Sequence, residues 1–291
     1  MKPPIISVLG VLALVVSCQA AEIGWVSFHA GDDIPSANAA AAGFNSAPDV
    51  GYTQLLQANG HNVTRIITSA SPDPSVLNLF DLVIVSRSVP SSHYQGAGAT
   101  AWNSITAPII VMGGYVMRSS RMGYTTGTTI PDTAGTIGLE VLAPSHPVFD
   151  GISLDGDNAV GAYAGIVDFL GTPQRGISVN TDPVAGGGTI LATVATTGDP
   201  AFGGTIIGEW MTGAVMANGS ADTLAGHRLA FLSGSREASG LTSEGAGIYD
   251  LTPAGAQMFL NAVDYMAVPE PGAMAFLVPG LLVLVVRSRR K

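Results

Sequence analysis

The chain has 291 residues, of which only 11% are charged, and it carries 12 basic against 21 acidic side chains. Residues 21–267 contain seven arginines, no lysine and 20 of the acids, which gives that segment a formal charge of 7 − 20 = −13. A surface of this sign repels nucleic acid and other polyanions, so we expect no nucleic-acid partner. Cys18 is the single cysteine, which excludes a disulfide within the chain.

The first 20 residues have the pattern of a secretory signal peptide. Lys2 precedes an apolar run at residues 5–16, and small residues then permit cleavage after Ala20. A second interpretation stays open, because residues 15–18 also resemble a lipobox in which Cys18 would be lipidated. Under both interpretations, residues 21–267 form an exported domain.

Strands and helices alternate in the first half of that domain. Strands are predicted at residues 23–29, 62–67, 79–85 and 108–112, and helices at residues 52–59 and 92–103. Asn59-Gly60 ends the first helix in the usual C-terminal way. Alternation at this spacing indicates βαβ units and a parallel sheet.

The second half contains shorter strands separated by glycine and proline. We predict strands at residues 176–179, 189–194 and 204–210, partly antiparallel, and a last core strand at residues 228–232. Thr252 caps a final helix that starts at Pro253. Its apolar stripe consists of Met258, Phe259, Ala262, Val263 and Met266.

Six segments, in this order, resemble the class I glutamine amidotransferase-like fold, close to its trehalose-utilisation-type branch. They are YTQLLQANGHNVT, FDLVIVSRSV, APIIVMGGY, HPVFDGI, HRLAFLSGS and AQMFLNAVDYM. The resemblance covers most of residues 21–267. It implies an α/β fold, a flavodoxin-like three-layer α/β/α sandwich with a mostly parallel sheet, to which this chain adds a partly antiparallel β region.

The chemistry of that family does not carry over to this chain. Its members hold a cysteine nucleophile on a tight turn after a core strand, and the corresponding turn here, residues 112–115, contains none. The family's His-x-Glu pair is also missing, since His227 and Glu237 lie too far apart in the chain, and no Gly-x-Ser-x-Gly segment offers a serine instead. We therefore expect no amidotransferase activity and assign no catalytic residue.

Metal and cofactor sites are not indicated either. The five histidines lack metal-ligand spacing. Residues 155–158, Asp-Gly-Asp-Asn, suggest a calcium loop but lack its distal glutamate, so a polar turn is the preferred interpretation. We expect no cofactor.

Ligands of open α/β sheets bind beyond the carboxyl ends of the strands. The predicted strands place six candidate residues there: Asp32, Asp33, Arg87, Tyr115, Arg118 and Arg236. Two interpretations stay open. The arginines either hold an anionic ligand, or they pair with Asp32, Asp33 or Glu237 and stabilise the loops.

The chain ends in a three-part pattern. Pro269, Glu270, Pro271 and Gly272 precede an uncharged run at residues 273–286, about 21 Å long as a helix, and a basic end that contains Arg287, Arg289 and Arg290. This pattern resembles the bacterial PEP-CTERM sorting signal, although a permanent C-terminal anchor is an alternative. The resemblance implies an exosortase as partner, a transient membrane anchor by a short transmembrane segment, and a final place at the cell surface or in an extracellular matrix that contains polysaccharide.

Two functions remain open on these grounds. The first is a non-catalytic surface or matrix protein that uses the domain as a binding or structural module. The alternative is a carbohydrate-active or other hydrolase with Asp32, Asp33 or His29 as acid/base groups at the strand ends.

Overall fold

The structure, a computed structural model, describes residues 20–156 and 159–267. Three predicted segments lie partly or wholly outside the described residues: residues 1–19 of the signal peptide predicted at residues 1–20, residues 157 and 158 of the polar turn, and the sorting signal predicted at residues 268–291. No helix within the described ranges is both long and apolar enough to cross a membrane.

The domain contains eleven described strands and six described α-helices. The strands are β1 (Glu22–Ser27), β2 (Asn62–Ile67), β3 (Leu82–Val85), β4 (Ile109–Val111), β5 (Leu139–Val141), β6 (Ala159–Val160), β7 (Asp168–Phe169), β8 (Thr172–Pro173), β9 (Thr189–Val194), β10 (Thr205–Trp210) and β11 (Arg228–Phe231). The helices are α1 (Ala37–Ala41), α2 (Val50–Ala58), α3 (Pro74–Leu77), α4 (Ala97–Asn103), α5 (Gly114–Met117) and α6 (Pro253–Ala267). Short 3₁₀ turns lie at Ser91–Tyr94, Pro147–Phe149 and Ser243–Gly245.

Nine strands form one sheet in the order β2-β1-β3-β4-β11-β10-β9-β5-β6, and β7 pairs with β8 separately. The five strands from β2 to β11 in this order are parallel to one another. The strands from β11 to β6 pair antiparallel. Numbered along the chain, the five parallel strands have the order 2-1-3-4-5, which is the flavodoxin-like order. The predicted fold class, flavodoxin-like with an added antiparallel region, is confirmed.

The central strands are covered on both faces. Every residue of β3, β4 and β11 is buried, as expected for parallel strands between two layers. Helix α2 packs against β2, and α6 packs against β3, β4 and β11. Helix α6 begins at Pro253 as predicted, because the Thr252 hydroxyl accepts a hydrogen bond from the Gly255 amide at 3.2 Å.

Three predicted elements differ in the structure. Strand β3 starts at Leu82, and Leu79 is 79% exposed in the turn after α3. The helix predicted at residues 92–103 is interrupted, because Gly96 has a φ of +52°, which separates the 3₁₀ turn from α4. Residues 176–179 do not form a strand, because the pairing of Ser178 with Asp132 is an isolated bridge and does not continue into a ladder.

Candidate functional site

The crevice between the carboxyl ends of β1 and β3 is the ligand position in sheets with this strand order. Here it holds His29 and Ser88, both fully buried. Nδ1 of His29 accepts a hydrogen bond from the Ser36 amide at 3.0 Å, so the ring proton lies on Nε2, 2.9 Å from the Ser88 hydroxyl oxygen. Burial lowers the pKa of His29 and favours this neutral form. A histidine that donates to the serine cannot act as its base, so the pair is structural.

Asp32 does not join the predicted group of arginines. It pairs instead with Arg65 of β2, whose Nε lies 2.6 Å from Asp32 Oδ1. The same guanidinium contacts Asp49 at 2.9 Å and the Ser27 hydroxyl at 3.1 Å. Asp32 therefore pairs with none of Arg87, Arg118 and Arg236, because Arg65 holds the loop after β1 against the edge strand. Asp33 is exposed and makes no ion pair with any described residue.

The other four predicted residues do come together. The Cζ atoms of Arg87, Arg118 and Arg236 lie 5.5, 4.9 and 5.0 Å from the centroid of the Tyr115 ring. These residues follow β3, β4 and β11, which are adjacent parallel strands whose carboxyl ends share one edge. A guanidinium within about 6 Å of an aromatic centroid is attracted to the ring.

Glu237 pairs with two of these three arginines. Its carboxylate contacts Arg87 at 3.5 Å, Arg236 at 3.3 Å and also Arg175, and it is buried. Arg236 makes a second ion pair with Asp132 at 2.9 Å. Burial lowers the pKa of Arg87, and the charge of Glu237 opposes that change. Internal pairing thus accounts for Arg87 and Arg236, through Glu237 and Asp132 and not through Asp32 or Asp33.

Asp250 holds the loop after β11, which carries Arg236. Its carboxylate accepts hydrogen bonds from the Tyr52 hydroxyl at 2.7 Å and from the Gly234 amide at 3.1 Å. Gly234 has a φ of +85°, and it turns the chain after β11 toward Arg236. Burial raises the pKa of Asp250 to about 6, although these hydrogen bonds favour the charged form. No pattern in the sequence indicated that Asp250 would hold this loop.

The turn after β4 has no side chain at Gly113 or Gly114 that could act as a nucleophile. Gly113 and Gly114 occupy the turn where the resembled family carries its nucleophile. A Cβ atom on Gly114 would overlap the carbonyl oxygen of Ser178. His227 lies at the start of β11, the opposite end of that strand from Arg236, and contacts Glu209 at 2.8 Å.

Arg118 is joined by Arg121, which was not among the predicted site residues. Arg118 Nη2 and Arg121 Nε lie 3.2 and 3.4 Å from the Ser91 hydroxyl oxygen. Neither guanidinium makes an ion pair within the described part of the chain. Burial lowers the pKa of both side chains, and the charge of Arg121 lowers that of Arg118 further. The sequence offered one indication of this pair, because Arg118 and Arg121 lie three residues apart in the segment after β4.

No family model matches the chain, and no curated protein matches it. Among solved structures it is similar to a protein described as ThuA-like from Bacteroides uniformis, with 10% identity and a TM-score of 0.49 over 86% of this chain and 91% of that one. A cytoplasmic protein from Salmonella typhimurium has 12% identity and a TM-score of 0.46 over 84% and 98%. A protein from Thermoplasma acidophilum described as part of a GMP synthase has 10% identity and a TM-score of 0.44 over 86% and 95%. The fold assignment rests on the strand order.

Two further features bear on the chemistry of the domain. A shallow cavity of about 210 Å³ lies between α1 and the loop at residues 240–245, and its lining contains no titratable side chain. The described residues contain no group of three or more histidine, cysteine, aspartate or glutamate side chains arranged to hold a metal ion.

Proposed function

We propose that this chain is an exported, non-catalytic protein of the cell surface or extracellular matrix that uses its amidotransferase-like domain as a binding or structural module. One observation carries the proposal: the turn after β4 consists of Gly113 and Gly114, and the Cβ of any side chain at Gly114 would overlap Ser178. Covalent acyl transfer needs a nucleophile at this point and a base within hydrogen-bond reach.

The hydrolase alternative has weaker support. Glycoside hydrolysis generally uses two carboxyl groups on either side of the bond that breaks. Asp32 is neutralised by Arg65, and His29 is buried with both ring nitrogens in hydrogen bonds. Asp33 is the remaining candidate, and a single exposed carboxylate does not supply the pair.

The export and sorting part of the proposal rests on the two chain ends. The pattern of residues 1–20 is that of a signal peptide, and Pro269, Glu270 and Pro271 open the pattern that resembles a PEP-CTERM signal. An exosortase-type enzyme would act on this signal, and the mature domain would meet extracellular polysaccharide. The short apolar run favours a transient membrane anchor over a permanent one.

A turnover assay tests the non-catalytic part. We expect the purified full-length chain to release no ammonia from glutamine and no reducing ends from neutral or acidic polysaccharides, even at high protein concentration. Turnover that survives further purification, and that disappears in Asp33→Asn but not in the exposed control Asp168→Asn, would contradict the proposal.

A further inference from the structure

Arg118 and Arg121 differ from the other arginines of the described domain. Arg65, Arg87, Arg175 and Arg236 all pair with carboxylates. Arg228 is buried against backbone carbonyls, including those of Ala107 and Ile105. Among the described residues, the hydrogen bonds of the Arg118 and Arg121 guanidinium groups go to the carbonyls of Tyr115 and Ser120 and to the hydroxyls of Ser91 and Ser120. In a domain with a charge of −13, two neighbouring cations without an acid are a local departure from the overall field.

A tight turn holds the two side chains together. The Arg118 carbonyl accepts hydrogen bonds from the amides of Arg121 at 2.8 Å and Gly123 at 3.0 Å. Arg118 is fixed further by its Nε, 3.0 Å from the Tyr115 carbonyl oxygen, and by the Tyr115 ring. Both guanidinium groups contact the hydroxyl of Ser91, and all three side chains are half-buried. The two positive charges repel each other, and an anion bound between them would remove this electrostatic repulsion.

The donor set indicates which anion would fit. A guanidinium fork matches the two oxygens of a carboxylate or phosphate. Phosphate sites commonly add the backbone amides of a helix N-terminus or of a turn. The donors that meet at this site are side chains: two guanidinium groups and one hydroxyl. The hydroxyls of Ser91 and Ser120 contact these guanidinium groups, and they can donate to and accept from the hydroxyls of a ligand.

We propose that Arg118, Arg121 and Ser91 form a binding site for the carboxylate group of a sugar acid. The inference deepens the binding role proposed above and rests on it. Arg118 and Arg121 hold the carboxylate, and the serine hydroxyls contact the hydroxyl groups of the sugar ring.

Titration of the full-length chain with tri(galacturonic acid) tests the site. We expect binding that weakens as salt is added, and no binding of the uncharged methyl ester. The double variant Arg118→Gln/Arg121→Gln should weaken binding at least tenfold. The double lysine variant should weaken it several-fold, because it keeps the charge and loses the fork.

Gln54→Glu/Gln57→Glu is the matched control, because it changes the net charge by the same two units at exposed positions of α2 and should bind within twofold of the parent chain. Thermal unfolding checks that each variant is folded, and Arg121→Gln alone replaces the double variant if that one does not fold. Absence of binding by the parent chain, equal binding of the ester, unchanged binding by the variants, or binding of glucose 6-phosphate in place of the carboxylate would each overturn the assignment. The turnover assay described above tests the non-catalytic role separately.

Discussion

Gly114 is the glycine of the turn after β4 that leaves no room for a side chain. Its α-carbon lies against the Ser178 carbonyl, whereas a Cβ on Gly113 would stand 3.4 Å from Arg87 Cδ, an ordinary contact. The two glycines are adjacent and neither has a positive φ, so backbone conformation does not separate them. The difference in space therefore predicts a difference in the effect of substitution.

We expect Gly114→Ala to lower the free energy of unfolding by about 2 kcal/mol, because the added methyl group overlaps backbone that cannot move alone. Gly113→Ala is the matched control and should change it by less than about 0.5 kcal/mol. Urea denaturation of the two variants measures both values. Equal stability of the two variants would mean that the turn adapts, and it would remove the steric argument against a nucleophile.

At the scale of elements, one largely buried carboxylate joins β10, the residue before β11 and the C-terminal helix. Glu209 of β10 accepts hydrogen bonds from His227 at 2.8 Å and from the Tyr265 hydroxyl of α6 at 2.7 Å, and His146 lies 3.6 Å away. Burial opposes ionisation of Glu209, but the contacts with these three side chains outweigh it, so its pKa lies below the ordinary value of 4.5.

The sign of the resulting pH dependence follows from linkage. A carboxyl group whose pKa is lower in the folded state contributes stability above its ordinary pKa, and that contribution is lost as the pH falls toward the folded value. We expect Glu209→Gln to cost about 1–3 kcal/mol at pH 7, because a buried charge-assisted network is weakened. The difference from the parent chain should shrink as the pH falls below about 4.5.

Denaturation at several pH values measures this difference. Glu140→Gln on β5 is the control, because Glu140 is exposed, and it should change stability little at any pH. A loss in Glu209→Gln that is constant from pH 7 to pH 3 would show that the charge of Glu209 does not contribute.

At the scale of the whole molecule, the two chain ends lead to a prediction about processing. The apolar run at residues 273–286 is shorter than the roughly 20 residues that a stable membrane span needs. We therefore expect the mature protein in its host to lack residues 274–291, and intact-mass spectrometry of the surface fraction measures this. Replacing Pro269, Glu270 and Pro271 with alanine should leave the tail in place. A full-length tail on most of the surface protein would support the permanent anchor instead.

The sequence by itself determined the parallel half of the sheet and placed three arginines after strands of that half. Apolar runs such as Leu82–Val85 mark buried strands. Because neighbouring parallel strands end at the same edge, residues that follow β3, β4 and β11 must lie near one another. The positions of Arg87, Arg118 and Arg236 at the strand ends were predictable, and the strand order then brings the three side chains together.

Only the tertiary structure decided which acids these arginines contact. With 20 acids available to seven arginines, an ion pair depends on strand order and on the path of each loop, which local sequence does not encode. Arg65 reaches Asp32 because β2 lies at the edge beside β1, and Glu237 lies among three arginines because the chain turns at Gly234. Arg118 and Arg121 stay without an acid for the same reason: pairing is set by contacts between residues distant in the chain, and none of these contacts brings a described carboxylate to them.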